Sequence, residues 1–190
     1  MTTNSGTHGG SGKLVFSSGT SKAANSGSIN IASGTATAGR GGSVIIATGS
    51  GTSGTGGVVA TLGGQSMKKT GGYIILRSGK GTQSSSGAII ISTINSGTAG
   101  TSGCLAFSTG TTKSGNSGAI LIGSGTATAG RGGDVHVAVG SGTSGTGGTL
   151  KLQAGCSTVA TGGLINIYSG ENSARSSGQI TIRTSNSGTT

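Results

Sequence analysis

The chain runs to 190 residues, of which 44 are glycine, none proline, two tyrosine, two phenylalanine and none tryptophan, with hydrophobic residues at 30%. That is too little apolar volume to fill a conventional three-dimensional core, so surface has to be buried in some other way. Twelve Lys and Arg against two acids give a formal charge of +10, which favours anionic partners such as nucleic acid, acidic glycans, lipid head groups or a mineral surface, and equally keeps an edge-exposed protein in solution.

Met1 to Gly12 has neither a basic n-region nor an apolar h-region, and no apolar run approaches a membrane span, so no membrane insertion is expected. From Lys13 the chain is a tandem repeat of a fifteen-residue unit, stated most clearly by Ser28 to Gly42, SINIASGTATAGRGG. Units begin at Lys13, Ser28, Ser43, Val58, Tyr73, Ala88, Cys104, Ala119, Asp134, Thr149, Leu164 and Gln179; the one from Ala88 has sixteen residues and the last is cut short. Positions 2 and 4 of each unit are apolar, as in Ile29/Ile31, Ile74/Leu76, Leu105/Phe107 and Ile180/Ile182, with Val59/Thr61 the one departure. Such alternation is the pattern of a half-buried strand. A Gly/Ser/Thr-rich chain poor in aromatics normally stays disordered, but a disordered linker does not repeat an aliphatic pair at fixed phase.

A longer repeat lies above the short one: SGTATAGRGG stands at 33–42 and 124–133, and GSGTSGTGG at 49–57 and 140–148. Residues 13–103 and 104–190 thus read as two six-unit modules, preceded by a partial coil at 1–12, all in one continuous array. A short unit unable to bury its own apolar face signals a stacked repeat. The fold expected is all-β, a parallel β-solenoid of about twelve coils of 15 residues, with positions 1–5 one strand, positions 8–11 a second, and glycines at the corners. Coils stacked at about 4.8 Å would make a rod on the order of 55–60 Å long, with an aliphatic ladder from positions 2 and 4 inside. Antiparallel hairpins closed into a barrel or sandwich compete less well, because their connections would exceed the usual two to five residues or so.

Few residues offer chemistry. GSGTSG at 49–54 and 140–145 matches G-x-G-x-x-G, but no helix pattern follows to hold a pyrophosphate. A calcium-binding β-roll needs an acid in each repeat, and the only acids are Asp134 and Glu171. His8, His136, Cys104 and Cys156 are scattered among different units, so no active site, metal or cofactor is expected. In stacked coils the two cysteines would lie roughly 14 Å apart along the axis, too far for a disulfide.

The candidate surface residues are threonines at positions 8 and 10 and cations beside them: Thr35, Thr37, Thr52, Thr82, Thr126, Thr128, Thr143 and Thr158, with Lys22, Arg40, Lys113 and Arg131. The threonine columns resemble the T-x-T faces of solenoid ice-binding proteins, which implies an antifreeze alternative, although Lys22, Met67 and Lys113 interrupt the column and threonine is favoured on any exposed β surface. A broader resemblance covers the whole chain. Units such as GNSGAILIGSGTATAGRGG and SSGAIIISTINSGTAGTSG resemble the Gly/Ser/Thr-rich tandem-repeat proteins of diatoms and related microalgae. That resemblance implies an extracellular or cell-surface, cell-wall-associated protein with no catalytic residues to carry over; the many Lys and Arg substitutions depart from it. The reading favoured is a non-enzymatic structural or adhesive repeat protein whose basic surface binds anionic polysaccharide or silica. Nucleic acid is disfavoured, because stacking aromatics are nearly absent. The fragment Asn4 to Gly12 matches 95–103, and the chain stops inside the same segment at Asn186 to Thr189, so it reads as a slice of a longer array whose uncapped ends predict head-to-tail self-association into filaments.

Overall fold

The fifteen-residue period is expressed as a bend. In the computed structural model, which describes residues 11–185, the backbone turns at 22–24, 37–39, 52–54, 67–69 and 82–84, then at 98–100, 113–115, 128–130, 143–145, 158–160 and 173–175. Each of these is positions 10–12 of its unit, shifted by one in the sixteen-residue unit. The chain divides into two units, Met1–Ser92 and Thr93–Thr190, and the same local geometry recurs in each.

Among the described residues there is no helix and no strand, so the expected all-β parallel solenoid is not formed. A solenoid requires the amides of each coil to bond to the next coil. Here the backbone hydrogen bonds close inside one repeat: the position-15 amide donates to the position-7 carbonyl, as from Gly57 to Gly49 at 3.0 Å, Gly72 to Gly64 at 2.9 Å and Gly163 to Gly155 at 2.8 Å. The same bond recurs from Gly87 to Gly79, Gly148 to Gly140 and Gly178 to Gly170. The expected second strand at positions 8–11 is replaced by the bend and its approaches, where Ser, Thr and Asn side chains offer the backbone local alternatives to a ladder.

The aliphatic ladder is also not interior. No described residue is buried. Position-2 side chains are all about half exposed, from 48% at Ile180 to 62% at Leu14, whereas position-4 side chains range from 53% at Ile91 to 86% at Ile182. The narrow spread at position 2 means that each unit presents this side chain in nearly the same way. The least exposed residues are Ser18, Ala154 and Ser169, at position 6, and Gly81, at position 9, so what packing there is lies within single loops. The partial coil at 1–12, apart from Ser11 and Gly12, and the closing segment Asn186 to Thr189, on which the head-to-tail expectation rests, lie outside the described residues.

Candidate functional site: the basic loops

Each repeat contains an extended segment, positions 1–6, and a loop, positions 7–15, whose neck is built of glycine. Crowding at the neck accounts for the closing glycine in several units. A Cβ there would stand 3.1 Å from Ser33 Cβ at Gly42, 2.9 Å from Thr48 Cβ at Gly57 and 3.2 Å from Ser124 Cβ at Gly133, and would meet Val139 Cγ1 at Gly148. In two loops the position-6 hydroxyl also ties the neck, Ser33 Oγ donating to the Gly42 carbonyl at 2.8 Å and Thr48 Oγ1 to the Gly57 carbonyl at 3.2 Å.

In four units the tip of the loop is capped by position 9, whose Ser or Asn oxygen accepts the amide three residues on: Ala24 to Ser21 at 3.0 Å, Lys69 to Ser66 at 3.0 Å, Ala160 to Ser157 at 2.9 Å and Arg175 to Asn172 at 2.7 Å. Ser157 and Asn172 accept a second amide, from Val159 and Ala174. This is the side-chain-to-backbone capping that drives Asx and Ser/Thr turns. In the loops of Ser96 and Thr112 the hydroxyl instead donates to the carbonyl of Gly100 at 3.2 Å and of Gly115 at 2.8 Å. Those two glycines have φ of +124° and +119°, a region that side chains with a Cβ rarely enter.

This geometry places the cations. Eight of the twelve Lys and Arg fall in loops: Lys22, Arg40, Lys68, Lys69, Lys80, Lys113, Arg131 and Arg175. Lys22 and Lys113 open their bends, and Arg40 and Arg131 follow theirs directly, so the two modules carry the same charge at the same place. All are exposed. Among the described residues one ion pair occurs, Arg131 Nη2 to Asp134 Oδ1 at 3.2 Å, with both side chains at least 80% exposed; a pair this wet contributes little.

The threonines go elsewhere than a flat strand face. Thr37, Thr52, Thr82, Thr128, Thr143 and Thr158 are each the first residue of a bend, and Thr35 and Thr126 lie two residues ahead of one. The structure therefore brings the candidate threonines and cations to equivalent loop positions, but on no common sheet. Sequence reasoning passed over Lys68, Lys69 and Arg175 within the bends, and the caps Ser21, Ser66, Ser157 and Asn172. The signal was present: a Ser or Asn beside glycine, three residues ahead of an amide it can accept, marks a turn. Cys104 and Cys156 are both free and exposed. No group of three or more His, Cys, Asp or Glu gathers among the described residues, and no helix there is long and apolar enough to cross a membrane.

Comparison with known proteins returns no matching family model, no similar curated protein and no similar solved structure.

Proposed function

We propose that this chain is a non-enzymatic structural or adhesive repeat protein, acting outside the cell or at its surface, whose basic loops bind an anionic polysaccharide or silica. One observation carries the reading: eight exposed cations stand in loops that recur along the chain, and among the described residues a single carboxylate pairs with one of them. One exposed Lys in water attracts an anion weakly, because solvent and salt screen it. Loops repeated along one chain convert weak single contacts into avidity on a polyanionic surface, which offers many charges at once. Lys22 with Lys113, and Arg40 with Arg131, supply the same charge twice at a separation of 91 residues. The chemistry shared by both ligands is a dense array of oxyanions, which ammonium and guanidinium groups bind by charge-assisted hydrogen bonds.

The test is binding of the full chain to silica particles and, separately, to a sulfated and a carboxylated polysaccharide across a salt series. Retention should fall as NaCl rises, and replacing Lys22, Lys68, Lys69, Lys113 and Arg175 by Gln should lower it further. Binding indifferent to salt, or none to any of the three, removes the proposal. No observation favours the ice-binding alternative, since its threonines sit at bends.

A further inference from the structure

We infer that the exposed aliphatic pairs at positions 2 and 4 are the docking surface for a second copy of this chain, laid beside the first. This contact is lateral and involves neither chain end, and it stands whether or not the loops bind an anionic surface.

Surface area supplies the first argument. A folded monomer of 17.7 kDa exposes about 8,000 Å² and its unfolded chain about 26,000 Å². This chain exposes 19417 Å², an excess over the folded value that is several times the roughly 1,600 Å² covered in a standard interface. Much of the excess is branched aliphatic, including the position-4 residues Ile31, Ile46, Ile122 and Ile182, each at least 72% exposed. Apolar surface on this scale is not left in water when a partner can cover it.

Register identifies the partner. The aliphatic pairs recur every fifteen residues, so an unrelated protein would meet one or two of them, whereas a second copy carries the same pairs at the same sequence spacing. Within Thr93–Thr190, the segments 151–154 and 164–167 and Ile120 frame an open groove of about 860 Å³, lined on its apolar side by Ile120, Leu152, Ala154, Leu164, Ile165 and Ile167. An aliphatic pair from the same positions of another copy has the size and character to fill it. Charge agrees, since only Lys13, Arg77, Lys151 and Arg183 stand on the extended segments. Two copies can therefore join aliphatic faces while most of their charge stays in the loops.

Sedimentation equilibrium of the full chain, over a wide concentration range at low and high NaCl, tests this. Reversible association is expected, and it should tighten with salt, because screening relieves repulsion between two copies of charge +10. Binding to a polyanion has the opposite salt dependence, so the two proposals fail separately. Changing Ile120, Ile165 and Ile167 together to Ser should raise the dissociation constant about tenfold or more. Changing the same three to Leu should leave it near the wild-type value, and changing Lys68 and Lys69 to Gln should leave it unchanged or tighter. Amide exchange at Gly163, which closes the neck beside this groove, reports whether each variant keeps its loops. A strictly monomeric chain, a Ser variant that associates like wild type, or association that weakens with salt would overturn the inference.

Discussion

A single missing Cβ decides how several of the repeats close. At Gly57 and Gly148 the neck leaves no room for one, and the same residue donates its amide across the loop, as Gly57 does to Gly49 at 3.0 Å. Gly57→Ala should push Thr48 aside and break that bond, for a loss of about 1 kcal/mol, or roughly fivefold less protection of the amide against exchange. Gly56 beside it has nothing within 4 Å of its would-be Cβ, so Gly56→Ala should leave the protection of Gly57 intact. Equal effects of the two substitutions would show that backbone entropy, and not contact at the neck, is being measured. Ser157 supplies a second test. Its oxygen accepts the amides of Val159 and Ala160 at 3.3 and 2.9 Å, so Ser157→Ala should expose both to exchange at a cost on the order of 1 kcal/mol, the scale of a lost helix cap. Ser157→Thr, which keeps the hydroxyl, should preserve protection.

The loop is the element that repeats, and the sequence displayed its length and phase but not its character. The closing glycines mark every unit, and each bend falls at positions 10–12, one later in the sixteen-residue unit. The error lay in assigning positions 8–11 to a strand. Thr35, Thr37 and their equivalents have strand propensity, but propensity on a polar surface reflects neighbours that pack against it, and here none does. Ser21, Ser66, Ser157 and Asn172 held the clue in their four units, because a capping oxygen at position 9 competes directly with a ladder. The aliphatic pairs were legible as a periodic face; their exposure was not, because period two states which residues share a side and not whether that side is covered. At this scale the Arg131–Asp134 pair yields a further prediction. Both groups are exposed and 3.2 Å apart, so Asp134→Asn should change stability by less than about 0.5 kcal/mol. It should nevertheless strengthen retention on a sulfated polysaccharide at low salt, by freeing Arg131 and removing one negative charge. Unchanged retention would place Arg131 outside the binding surface.

At the scale of the molecule, the exposed area sets the thermodynamics. With 19417 Å² accessible, the chain buries only about a quarter of the surface its unfolded form would expose, against roughly 70% for an ordinary domain of this size. The heat-capacity change of unfolding scales with that area. A conventional chain of 190 residues would show about 2.5 kcal/mol/K, and in proportion to burial this one should show about 1 kcal/mol/K. Closing loops locally also gives little cooperativity, because each neck opens at the cost of its own few bonds, independently of the next. Scanning calorimetry at a concentration low enough to keep the chain monomeric should therefore record a broad transition of small amplitude. If the aliphatic columns dock against a second copy, raising the protein concentration and the salt should sharpen the transition and move it upward, since binding to the ordered form alone stabilises it by mass action. A sharp, concentration-independent endotherm carrying the full heat-capacity change would mean that a single chain buries a core of its own, and the lateral surface would then have nothing left to cover.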